Sequence, residues 1–322
     1  MRTRWIFVCQ ASLLLLNLSV QSAVFRCLIV VAVAFLMTGL ARSPELKHPD
    51  WHPNGNLLIS EGSCAGGIDL YKIDVAKGIV RHVWDGGMTE GYPRWFPDGE
   101  QIAFHQIDEE RHSRIFVASI SRGGDISEAR PVSNGPFDIE PSPSPSGSEI
   151  AFSQQGKNAQ DIAIVHMTDN ERNQTWLTES AENFPSWHPL DGSIIFHSKD
   201  SGGTHMYQRD LDSDDLKVLT MSAGPDFVGH LDSQGGQIAY SSERDGDREI
   251  YLYDFETDSD TRMTNRPGRD DYPKFSPDGR SIAYHAVISE NSTVIRIMHI
   301  QSGEIAEFSC DGLVRAASGA QR

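Results

Sequence analysis

The sequence predicts an all-β fold, a six-bladed β-propeller with four antiparallel strands per blade. Three observations carry the prediction. A unit of about 44 residues recurs six times, each unit holds a Pro-Asp-Gly-type turn between short apolar runs, and no run has the length or period of a helical crossover. The units start PDWHPNGNLLIS at Pro49, PRWFPDGEQIAFH at Pro93, PSPSPSGSEIAFS at Pro141, PSWHPLDGSIIFH at Pro185, GHLDSQGGQIAYS at Gly229 and PKFSPDGRSIAYH at Pro273. Their starts are 44, 48, 44, 44 and 44 residues apart, a regularity that shared composition does not produce.

Each unit has the same internal order. A short first strand carries an aromatic residue (Trp51, Trp95, Trp187, Phe275) expected to wedge between neighbouring blades. The turn follows, with proline presetting φ near −65° and glycine supplying positive φ. Next come an apolar second strand such as QIAFH, a polar loop such as SERDGDR, and a β-branched and aromatic third strand such as REIYLYDF. A short fourth strand, such as KVLT at 217–220, completes the unit. One such sheet cannot bury both faces alone, whereas sheets stacked around an axis can. Residues 42–322 are therefore expected to form one domain, a monomeric ring. Pro143 and Leu231 replace the wedge aromatic in the third and fifth blades, so looser packing is expected there.

The pattern P-x-W-S-P-D-G-x-x-I-A-F/Y, then R-D-G-x-x-E-I-Y, then L-T, resembles the TolB-type propeller repeat. RDGDREIYLYD (244–254) and PKFSPDGRSIAYH (273–285) carry it most fully. TolB has an α/β domain before its propeller, whereas here the repeats begin soon after an apolar leader, so a role identical to TolB's is not expected. Similar propellers front dipeptidyl-peptidase-type oligopeptidases and make up oligogalacturonate lyases. No hydrolase-sized segment follows Cys310, which argues against the peptidase reading.

Residues 1–41 read as a signal peptide or an N-terminal membrane anchor. Arg26 precedes the apolar run Cys27–Ala41, which ends in small residues and is short for a membrane span. The body is expected in the periplasm or secreted, with membrane contact only through an uncleaved anchor. The net charge is −17, and the leader holds three arginines and no acid, so the rest is more acidic still. Such a body repels phosphate backbones, which excludes nucleic acid as a natural partner.

Two cysteines, Cys64 and Cys310, lie outside the leader. The repeat places Cys64 between the second and third strands of blade 1, and Cys310 at the end of the last strand of blade 6. They are expected either to staple the ring with a disulfide or to remain two buried thiols. The sequence GSCAG (62–66) imitates a nucleophile elbow but lacks the strand-to-helix context.

An acid stands three residues before the repeat start in five units: Glu90, Asp138, Glu182, Asp226 and Asp270. These acids are expected near one mouth of the channel. There they either accept hydrogen bonds from their own loops or form a ring that holds Ca²⁺ or docks a basic segment. Histidine ends the second strand in alternate blades, at His105, His197 and His285. The alternatives are packing between blades or a metal site like that of the lyases. Asp50, Arg94, Ser142, Ser186, His230 and Lys274 follow the repeat starts as candidate channel-wall residues. The resemblance implies a non-enzymatic module that docks a protein partner or peptide segment on the acid-bearing face. The alternative is a metal-dependent polysaccharide lyase.

Overall fold

The computed structural model describes residues 44–121, 125–156, 159–167, 172–176, 181–199, 203–290 and 292–312. Residues 1–41, expected to be a signal peptide or membrane anchor, lie outside the described residues. Six four-stranded sheets occupy residues 46–84, 89–131, 138–176, 182–218, 226–262 and 270–308, and in each the strands pair in chain order. Innermost strands contact those of the neighbouring blades around the whole ring, blade 6 against blade 1 included. The chain is thus an all-β, six-bladed propeller.

The core is divided in the same way. Among the described residues six buried apolar clusters occur, each shared by two adjacent blades. Trp51, Trp95, Trp187 and Phe275 each sit in one of them, as wedges should. Leu231 fills the equivalent place in blade 5 and is buried. Pro143 stays half-buried, and Phe96 from blade 2 supplies the aromatic of that interface instead.

Every innermost strand carries a β-bulge. The pairing register with the second strand slips once, as between Gly91 and Arg94 or between Asp271 and Lys274. At each slip stands a non-glycine residue with positive φ: His48 (51°), Tyr92 (51°), Glu140 (59°), Phe184 (56°), Val228 (38°) and Tyr272 (58°). Such a conformation costs about 1–3 kcal/mol each, so surrounding contacts must hold it. Five of the six precede proline, which has no N–H to donate and is tolerated inside a sheet only at an edge or a bulge.

The ring is closed between blades 1 and 6. Cys64, in the loop after the second strand of blade 1, is bonded to Cys310, two residues beyond the last strand of blade 6, with their Cα atoms 5.2 Å apart. Glu45 lies between them. Its carbonyl accepts from Ser63 N at 2.9 Å, and its carboxylate accepts from Thr293 Oγ1 of blade 6 at 3.3 Å.

Candidate functional site

Antiparallel alternation sorts the loops into two faces. The inter-blade linkers and the loops between second and third strands share one end, here the linker face. The turns between first and second strands share the other, the turn face. Five linker-face acids head the innermost strands, and all five are buried.

Each acid is held by its own neighbourhood. Glu90 accepts from Gln106 Nε2 at 2.9 Å, and burial pushes its carboxyl up to about 7. Asp138 accepts from Gly135 N at 2.8 Å and Gln154 Nε2 at 3.0 Å. Glu182 pairs with Arg209 at 3.1 Å, and Asp270 pairs with Arg266. Asp226 accepts from Ser222 Oγ at 2.6 Å and has Arg244 at 3.6 Å. These contacts fasten the linkers to the blades and do not present a ring of open carboxylates. Among the described residues no three His, Cys, Asp or Glu side chains come together as a metal-binding group.

The three histidines are also kept apart, His285 and His197 turned toward the bulge of the next blade and His105 toward that of its own. His285 Nδ1 lies 3.5 Å from His48 N, and His197 Nδ1 lies 3.5 Å from Val228 N, each as acceptor of a long hydrogen bond. His105 lies against Gly91, where a Cβ would come within 2.6 Å of Nε2. Burial pushes His105 and His197 down to about 4 and His285 to about 3, so all three are neutral at pH 7 and each keeps one ring nitrogen free to accept. Other groups do the same work at other bulges. Glu61 accepts from Tyr92 N at 2.8 Å, Glu140 from Phe184 N at 3.1 Å, and Asp271 from Tyr272 N at 2.9 Å. The N–H groups of His48, Tyr92, Phe184, Val228 and Tyr272 thus each find a side-chain partner, and in four of the five that partner belongs to the preceding blade.

Four of the strained residues meet on the axis. His48 stacks on Tyr92 with centroids 3.9 Å apart and meets Tyr272 edge-on at 4.2 Å. Phe184 completes the cluster, 5.3 Å from Tyr272 and 5.8 Å from Tyr92, and the two tyrosine hydroxyls lie 3.1 Å apart. This aromatic plug forms the floor of the linker face. Two buried carboxyls beside it diverge. Burial works against the Glu61 carboxylate, but His48 at 2.9 Å and the Tyr92 N–H outweigh it and hold Glu61 at about 2. Burial prevails at Glu140, which is pushed up to about 7 despite the Ser153 hydroxyl at 2.7 Å. Sequence reasoning missed the plug. Its signal was an aromatic or histidine directly before the proline that opens a repeat, as at 48, 92, 184 and 272.

Above the floor, three linkers expose large apolar side chains: Met88 (44% exposed), Phe137 (46%) and Met221 (86%). Beyond the plug, toward the turn face, Asp50, Arg94, Ser142, Ser186, His230 and Lys274 line one cavity, so the wall residues marked in the sequence do converge.

A profile described as the TolB beta propeller domain matches residues 41–225, more than half of the chain. No curated protein matches the sequence. Among solved structures the chain is similar to TolB from Acinetobacter baumannii, at 19% identity and a TM-score of 0.63, over 86% of this chain and 67% of that one. A putative TolB from Agrobacterium tumefaciens is similar at 20% identity and a TM-score of 0.61, over 73% and 87%. An oligogalacturonate lyase in complex with manganese is similar at 12% identity and a TM-score of 0.52, over 78% and 88%. At these identities the solved structures speak for the fold alone.

Proposed function

The chain belongs to the TolB beta propeller domain family, and from that membership we propose that it is an exported, non-enzymatic module that docks an extended segment of a partner protein on its linker face. The observation that carries the reading is the set Met88, Phe137 and Met221, which places exposed apolar side chains on three linkers of one face around an aromatic floor. Apolar side chains grouped on loops mark an interaction surface more often than solitary ones do. The linkers beneath are fixed by their buried acids, so little ordering entropy opposes docking. A net charge of −17 favours a neutral or basic segment. Export is supported by the composition of residues 1–41 and by a disulfide, a bond that persists in oxidising compartments.

Site-specific photo-cross-linking in the native host tests the reading. A photoreactive residue at Met88, Phe137 or Met221 is expected to capture one common protein. The same residue at Leu190, exposed on the turn face, is expected to capture none. Capture from Leu190 alone, or equal capture from both faces, refutes the proposal.

A further inference from the structure

On the turn face the channel ends in a cavity of about 260 Å³. Its wall takes the residue after the repeat start in every blade, which lies two positions beyond the positive-φ residue of that blade's bulge. The plug therefore separates this cavity from the linker face, and Pro97, Pro145 and Pro277 edge its outer side.

Basic side chains collect here. In a chain of net charge −17, the wall carries two cations, Arg94 and Lys274, only 8% and 7% exposed. Among the described residues neither forms an ion pair. Arg94 donates one hydrogen bond, to Pro93 O at 3.0 Å. Two carboxylates line the same cavity, and the first, Asp50, accepts from Trp95 N at 2.8 Å. At the mouth, Asp232 accepts from Gln234 N and Gln237 N. Asp50 acts favourably on Lys274, but a buried cation outside an ion pair remains costly, and an anion between the two would offset that cost.

We propose that this cavity binds a small carboxylate, held by Arg94 and Lys274, with the Ser142 and Ser186 hydroxyls beside it. The guanidinium fork matches a carboxylate in geometry, and the adjacent ammonium adds a point charge. With Asp50 and Asp232 also lining the cavity, two carboxylates balance two cations, which suits a monoanion better than a phosphate dianion. The volume lies below the ~300–1,000 Å³ of drug-sized ligands, so the occupant is a small free acid or the terminal carboxylate of a chain. Burial and Arg94 push Lys274 down to about 7, and an anion at the site would restore its full charge. The site faces away from the docking surface proposed above, so each stands or falls independently.

The test titrates the intact, disulfide-bonded protein with acetate, with tetra-alanine bearing a free carboxylate, with its C-terminal amide, and with phosphate, reading melting temperature and heat. Saturable binding of acetate or of the peptide acid, with none of the amide, is expected. Acetate alone identifies a free acid, and tighter binding of the peptide acid identifies a chain end. Arg94→Gln and Lys274→Gln are each expected to weaken binding about tenfold. Independently of any variant, saturating carboxylate is expected to slow acylation of Lys274, followed by mass spectrometry. The absence of saturable carboxylate binding, tighter binding of phosphate, or unchanged Lys274 acylation overturns the proposal.

Discussion

Tyr92 and Tyr272, 180 residues apart in the chain, meet hydroxyl to hydroxyl at 3.1 Å across the channel axis. They stand at the same point of two repeats, on bulges that turn both side chains inward. Tyr92→Phe and Tyr272→Phe are each expected to cost about 1 kcal/mol in urea unfolding, and the double variant no more than the larger single. Additive losses would show that the hydroxyls act separately.

Trp187 and Trp95 wedge equivalent interfaces but differ in one atom's fate. Trp187 Nε1 donates to Ser142 O at 2.8 Å, tying blade 4 to blade 3, while Trp95 Nε1 is buried with no partner among the described residues. Replacement by phenylalanine removes similar volume from both. Trp187→Phe is therefore expected to lose about 1–3 kcal/mol more than Trp95→Phe, since it also strands a carbonyl. Equal losses in chemical denaturation would remove the hydrogen bond from the account.

Glu140 gives a pH dependence with a definite sign. Its folded pKa, about 7, lies above the ordinary carboxyl value of 4.5, so the folded state favours the protonated form. That contribution is fully present below pH 4.5 and is lost as pH rises through 7. Glu140→Gln, which mimics the protonated acid, is expected to gain stability relative to the parent between pH 5 and pH 8. Paired urea midpoints at the two values measure it, and a constant difference would contradict the assignment. Glu61 runs the other way. Its pKa of about 2 gives stability present above 4.5 that falls away below it.

The disulfide spans 246 residues of sequence, and on the chain-entropy account it contributes about 5 kcal/mol. Reductant is expected to lower the melting temperature of the parent and to leave a Cys64→Ser, Cys310→Ser double variant unmoved. A parent insensitive to reductant under denaturing heat would show that the bond carries no stability.

The ring was legible because repeat spacing and turn chemistry are local properties: Pro97-Asp98-Gly99 reverses the chain wherever it stands. The convergence of Arg94 and Lys274 was half legible, as a matched register whose direction alternation alone leaves open. The bulges were hidden, because a register slip belongs to two paired strands and single positions record it only as a proline inside a strand. That hidden slip also explains the acids. Glu90 and Asp226 start the strands that the bulges anchor and are drawn beneath the linkers. Position in a repeat said which residues are equivalent, and burial was left to the packing of the neighbouring blade.

The bond between Cys64 and Cys310 makes residues 64–310 a covalent macrocycle that includes part of every blade. One cut in any loop of that span opens the circle without releasing a fragment. The two pieces stay tethered by the Cys64–Cys310 bond, where blades 1 and 6 meet, and each blade keeps both of its neighbours. Two cuts are needed to free a blade, so a protease that reaches one exposed loop leaves a nicked but whole propeller until the disulfide is reduced.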